Sequence, residues 1–91
     1  MADIDVRKLE RPIKALANRR RLMMVRYIKK HREVSVTDIA HSIPLSIKAT
    51  SKHLGLLVAA DILEREQRSV QMFYRLSKEV PEPARMLISL L

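Results

Sequence analysis

The stretch that decides the fold is Ser35–Ala60, which reads SVTDIAHSIPLSIKATSKHLGLLVAA. It begins with a helix-capping signal, because a serine is followed three residues later by Asp38. Apolar spacing then predicts a two-turn helix over Val36–Ser42, and Ser46 caps a longer helix over Ile47–Ala60. Two helices with so short a connection are typical of a helix-turn-helix motif, whose second helix enters the major groove of DNA.

The second helix of this pair has two chemically different faces. At 100° per residue, Thr50, Leu54 and Leu57 fall on the side that we expect to face the core. No acidic residue occurs anywhere in this helix, although the chain contains ten. Lysine and serine can bond phosphates or base edges, and a glycine allows the helix backbone to approach DNA closely. The face predicted to meet DNA carries Lys48, Ser51, Lys52 and Gly55.

Two further helices are predicted before the motif. The first contains apolar residues at helical spacing and is interrupted by Pro12, where the helix either kinks or starts afresh. Asn18 is a good cap for the second, which opens on three consecutive arginines. Because the helix macrodipole disfavours positive charge at that end, an anionic partner explains the arginines better than helix energetics. The apolar residues of the first helix are Val6, Leu9, Ile13 and Leu16.

A β-hairpin and a last helix are predicted after the motif. The strands cover Leu63–Gln67 and Val70–Leu76, with Arg68-Ser69 between them. A helical tail follows from Pro81. The predicted fold class is therefore mainly α with a small β-hairpin, a winged helix-turn-helix of order α-α-α-α-β-β-α, with residues 1–91 forming one domain.

Composition narrows the class of partner. The chain has 91 residues, with 18 Lys and Arg against 10 Asp and Glu, which gives a formal net charge of +8. So basic a chain predicts a polyanionic partner, either nucleic acid or an anionic membrane surface. No apolar run approaches the roughly 18 residues of a membrane span, and the N-terminus has no apolar signal core, so we expect a cytoplasmic, nucleoid-associated protein without a membrane partner.

An enzyme or a metal site is not expected. The chain has no Cys, which removes disulfides, thiol catalysis and thiolate metal sites, and it has no Gly-rich phosphate loop. Its histidines, His31, His41 and His53, do not form a helix-borne pair. We interpret His53 as a residue held by packing and hydrogen bonding at the edge of the core. No cofactor is predicted.

The stretch Leu16–Leu76 resembles the ArsR-type winged-helix regulators. The resemblance lies in the runs ALANRRRL (15–22), SKHLGLL (51–57) and YRL (74–76). It implies a homodimer on a pseudo-palindromic operator, with the terminal helices at the interface. Many metal sensors of the family carry C-V-C where this chain has Ser35-Val36-Thr37. The family's glycine after the recognition helix is Asp61 here, so this turn needs either an Asp that tolerates positive φ or a different turn. The family's glycine at the wing tip is Ser69 here, which argues against a tight two-residue turn.

Two sets of site residues follow. Lys48 and Ser51 are predicted to approach base edges, Lys52 a phosphate, and Arg68 the minor groove or flanking backbone; Arg21 contacts phosphate or forms an internal ion pair. The predicted DNA-binding residues are Ser46, Lys48, Ser51, Lys52, Gly55, Arg68, Arg19 and Arg21. The predicted dimer interface consists of apolar residues at both chain ends, namely Val6, Leu9, Ile13, Met86, Leu87, Leu90 and Leu91.

Two other functions remain open at this point. Apolar residues on the second helix of the motif, Ile47, Val58 and Ala59, suit a winged-helix module that binds a protein instead of DNA. The high net charge also suits an architectural protein that binds DNA without sequence preference. RNA binding has less support, because the predicted sheet offers no aromatic stacking platform.

Overall fold

The computed structural model describes residues 3–91, so the first two residues of the predicted domain lie outside it. Within residues 3–91, five helices and three strands follow one another. In order they are α1 (Val6–Leu16), α2 (Arg19–His31), β1 (Glu33–Ser35), α3 (Val36–Ser42), α4 (Ile47–Ala59), β2 (Leu63–Arg68), β3 (Gln71–Leu76) and α5 (Ala84–Ile88). No helix in this part of the chain is long and apolar enough to cross a bilayer.

Polar side chains fix the starts of the first four helices. Asn18 Oδ1 accepts from the backbone N–H of Arg20 at 3.0 Å and of Arg21 at 3.1 Å. Ser35 and Ser46 cap α3 and α4 in the same way, so the predicted starts of both helices are confirmed. Helix α1 begins at its cap Asp5 and continues through position 12, so the alternative of a fresh start at the proline is wrong.

The sheet has three antiparallel strands in the order β1-β3-β2. The predicted hairpin is confirmed, with pairs running from Leu63↔Leu76 to Arg68↔Gln71. The turn is a tight one in spite of the missing glycine, because Ser69 adopts the left-handed conformation with φ 57°. Asp61 does the same after α4, with φ 61°. The alternative in which Asp61 tolerates positive φ is therefore confirmed, and the expectation against a tight turn at Ser69 is wrong.

Strand β1 was not predicted. It has only three residues, too few to show an alternating pattern, and it forms because it pairs with β3. The core lies between the inner face of this sheet and the helices, with α2 contributing Met24, Val25 and Ile28. Helix α4 adds Leu54 and Leu57 from the opposite side, which fixes its outer face toward solvent.

Candidate nucleic-acid interface

Helix α4 has the two faces that its sequence predicts. Thr50, Leu54 and Leu57 are fully buried. Lys48 and Lys52 are exposed on the other side, and the neighbouring Ser51 and Gly55 are half-buried. The side chain of Ser46 is committed locally, since its oxygen accepts from the N–H of Ala49 at 3.0 Å. The structure thus brings the predicted residues of α4 together on one face.

Gly55 has no packing role in the free protein. A Cβ built at this position meets no atom within 4 Å, and the helix geometry there needs no positive φ. Glycine costs about 1 kcal/mol of helix propensity relative to alanine in such a position. The fold of the single chain therefore gives no reason for a glycine on the exposed face of α4.

The arginines at the start of α2 have different surroundings. Arg19 and Arg20 are exposed, whereas Arg21 points inward. Arg21 Nε donates to the carbonyl of Ala15 at 2.6 Å, and its Nη1 donates to Nδ1 of His53 at 3.2 Å. Arg21 thereby ties the end of α1 to the middle of α4. The internal role suggested for Arg21 is present as hydrogen bonds rather than as an ion pair, because neither partner is a carboxylate.

The surroundings of His53 favour its neutral form over its charged form. Its ring is half-buried and accepts from the Arg21 guanidinium, so the ring proton sits on Nε2. Burial lowers the pKa of His53 below its ordinary value of 6.5, and the charges of Arg21, Arg20 and Lys52 lower the pKa further. This matches the interpretation of His53 as a packed, hydrogen-bonded residue.

The wing does not present Arg68 as a free cation. Its guanidinium donates to Glu33 at 2.7 Å and 3.0 Å and to Glu66 at 3.0 Å, and it lies 4.9 Å from the centre of the Phe73 ring. These bonds raise the pKa of Arg68 and lower those of both carboxyls. Arg75 joins the same cluster through Glu33. A phosphate contact by Arg68 would require it to exchange partners.

Sequence reasoning missed this cluster because of a single unpredicted element. Glu33 lies in β1 and is 35 residues away from Arg68 in the chain. The cluster also explains Phe73, whose apolar ring interrupts the polar face of β3, since the ring supports the arginine by a cation–π contact. The signal available in the sequence was the alternation of Glu64, Glu66 and Arg68 on one face of β2.

Apolar side chains from both ends of the chain lie side by side. Helix α1 contacts α5, and both helices contain buried residues, Pro12 and Leu16 in α1 and Ala84 and Ile88 in α5. Lys29 Nζ holds α5 by donating to the carbonyl of Ile88 at 3.1 Å. Of the predicted interface residues, Leu9 and Leu91 are half-buried. The others remain exposed in the single chain, namely Val6, Ile13, Met86, Leu87 and Leu90, and the unpredicted Ile4 joins them.

The potential metal ligands of the described residues do not form a cluster. Within residues 3–91, no three His, Cys, Asp or Glu side chains come together in a way that could hold a metal ion.

Comparisons with known proteins agree with this architecture. No protein-family model matches the chain. The chain is 35% identical over 69 residues to the arsenic resistance transcriptional regulator ArsR1 of Pseudomonas putida, a match that covers 76% of this chain and 54% of that protein. The chain therefore spans about half the length of this curated relative.

Two solved structures show the likeness of the fold. HlyU from Vibrio cholerae N16961 superposes with a TM-score of 0.82 at 27% identity, covering 98% of this chain and 92% of HlyU. The homodimeric winged helix-turn-helix DNA-binding domain Mb0332 from Mycobacterium bovis, a possible ArsR-family transcriptional regulator, superposes with a TM-score of 0.78 at 25% identity, covering 99% and 85% of the two chains. This chain therefore has a winged helix-turn-helix fold, and it is similar in sequence to an ArsR transcriptional regulator.

Proposed function

We propose that this protein is a homodimeric transcriptional regulator that binds double-stranded DNA in a sequence-specific manner, most simply as a repressor. The observation that carries the proposal is the outer face of α4. It offers two exposed lysines, has no acidic residue and contains a glycine without a packing role. The glycine lowers helix propensity without a packing role in the single chain, and the basic face suits a helix that lies against a polyanion. The proposal also implies association with the nucleoid.

The α4 residues have different proposed contacts. Lys48 and Ser51, near the N-terminal end of the helix, approach base edges, because that end enters the groove most deeply. Lys52 contacts a phosphate, and exposed Arg19 contacts the backbone from the start of α2. Arg68 contributes less than Lys52, since its guanidinium is already neutralised by two carboxylates.

A second copy of the chain covers the apolar face formed by α1 and α5. The apolar side chains exposed on these two helices include Val6, Ile13, Met86 and Leu90. So many exposed apolar residues on neighbouring helices are typical of an interaction site and not of scattered surface residues. The homodimeric neighbour Mb0332 supports the same assembly. A two-fold dimer presents two copies of α4, which suits a pseudo-palindromic site with half-sites about one helical turn apart.

Selection of random duplexes by the purified protein tests the DNA proposal, with enrichment of a palindrome as the expected result.

Lys48→Ala should cost about 1–3 kcal/mol on the selected duplex and little on random DNA, because a base contact is sequence-specific. Lys52→Ala should weaken both duplexes and flatten the salt dependence by about one unit. Lys30→Ala is the matched control, since this exposed lysine lies at the opposite end of α2 from Arg19. Tight binding without enrichment would indicate an architectural protein.

The second candidate function is a protein-binding winged-helix module. The exposed Ile47 and Leu56 on α4 favour it, because apolar surface suits a protein partner. If wild type binds no duplex, or if both α4 lysine variants leave every DNA affinity unchanged, this reading replaces the first.

Regulation by a transition metal is not part of the proposal. Ser35 and Thr37 stand at the positions where the resemblance expects thiolates, and hydroxyls are poor ligands for soft metals. Calorimetric titration with zinc should therefore give no stoichiometric binding below micromolar concentration, and tight binding would contradict this.

A further inference from the structure

The proposed recognition helix begins with an exposed apolar side chain. Ile47 is the first residue of α4 and is 52% exposed, between the cap Ser46 and Lys48. Single exposed apolar residues are common on protein surfaces and usually carry no meaning. The position of Ile47 is different, because the N-terminal residues of a recognition helix are those that reach base edges.

Ile47 has no evident role in holding the helix. Ser46 provides the cap, and Leu45 is the apolar residue at the helix entry that packs against the core. Among residues 3–91, Ile47 does not belong to the buried core or to the partly buried side chains that pack on it. Its apolar surface is therefore available to a ligand of α4.

The neighbours of Ile47 define what it would meet. Ser51 lies one helical turn further along the same edge, and Lys48 is adjacent. Both are proposed to bond base edges, so Ile47 would enter the same groove beside them. The major groove presents hydrogen-bonding atoms from every base pair, and its apolar group is the C5-methyl of thymine.

We propose that Ile47 is a specificity-determining residue that packs against the C5-methyl group of a thymine in each half-site, next to the base edge that Lys48 or Ser51 contacts. This inference rests on the proposed function. With this role, the exposed Ile47 no longer favours a protein partner, because its apolar surface contacts DNA.

Removal of single methyl groups from the DNA tests the inference. Each thymine in one half-site of the selected duplex is replaced in turn by deoxyuridine, which lacks only the methyl group. Wild-type protein should lose about fourfold in affinity at one of these positions, the effect of burying one methylene-sized group. The Ile47→Ala variant should bind the thymine and deoxyuridine duplexes equally, and this double-mutant comparison cancels any change in the DNA itself.

Leu56→Ala is the matched control. Leu56 is 49% exposed on the same helix but lies more than two turns further along, on the opposite flank. This variant should keep the full sensitivity to deoxyuridine. Circular dichroism of both variants checks that they are folded, and the deoxyuridine series on wild type does not depend on any variant.

The outcomes separate the inference from the proposed function. If wild type binds the selected duplex but tolerates deoxyuridine at every position, only the inference fails. It also fails if Ile47→Ala retains the same sensitivity as wild type, since another residue would then read the methyl group. If wild type binds no duplex, the proposed function fails and the inference fails with it.

Discussion

At the scale of single residues, replacing Gly55 should have opposite effects on the stability of the fold and on DNA binding. Because a Cβ at this position meets nothing within 4 Å, Gly55→Ala should raise the free energy of unfolding by about 1 kcal/mol. The same methyl group should weaken DNA binding, since it stands where the α4 backbone approaches the duplex. Urea unfolding and duplex binding of one preparation measure both effects. Equal or tighter DNA binding by the variant would contradict the proposed close approach.

His53 predicts a pH dependence of stability. Its pKa is lowered in the folded state, first by burial and then by the Arg21 charge, so the unfolded chain binds a proton more readily. The stability that depends on neutral His53 is present above the unfolded value near 6.5 and is lost as the pH falls through the lower folded pKa. The free energy of unfolding should thus decrease below about pH 6.5.

Urea unfolding across a pH series, compared between wild type and His53→Gln, measures this contribution. The variant should show a weaker decrease, because it lacks the imidazole of His53. His31 and His41 are present in both proteins, so they do not account for a difference between them. Identical pH profiles would show that His53 is not linked to folding.

At the scale of secondary structure elements, the cap of α2 is expected to carry measurable stability. Asn18 accepts from two backbone N–H groups, and the first turn of the helix has three arginines and no acidic residue to offset the helix dipole. Asn18→Ala should therefore lower the free energy of unfolding by about 1 kcal/mol. Thr37→Ala, at an exposed position in α3, should have a much smaller effect. Chemical denaturation that finds the two variants equal would contradict this role of Asn18.

Local signals explain which elements could be predicted from the sequence. Capping residues and apolar spacing are properties of neighbouring residues, and they were sufficient for α3, α4 and the hairpin. Strand β1 could not be predicted in this way, since only the pairing of its three residues with β3 makes it a strand. The same limit applies to Arg68, whose carboxylate partner Glu33 comes from that strand. Lys48 and Lys52 were easier to place, because helical periodicity alone puts them on the outer face of α4.

At the scale of the whole molecule, the assembly state depends on the apolar face of α1 and α5. Leu87→Asp should convert a dimer to a monomer or weaken it strongly, because an unpaired charge would be buried in the interface. Sedimentation velocity at micromolar concentration measures the change. Val70→Asp is the control, since Val70 is 92% exposed at the tip of the wing, away from both chain ends. A wild-type monomer under these conditions would contradict the dimer.

The outer face of the sheet differs in charge from the rest of the molecule. It carries three carboxylates, those of Glu33, Glu64 and Glu66, against the two guanidinium groups of Arg68 and Arg75, whereas the chain as a whole has a net charge of +8. The excess positive charge therefore lies on the remaining surface, which includes α4. In the proposed complex with DNA, the polyanion attracts this face of the sheet less than it attracts the basic remainder of the surface, so encounters that begin at the sheet are disfavoured. A larger share of diffusional encounters would then begin in a productive orientation, which raises the association rate and makes that rate sensitive to ionic strength.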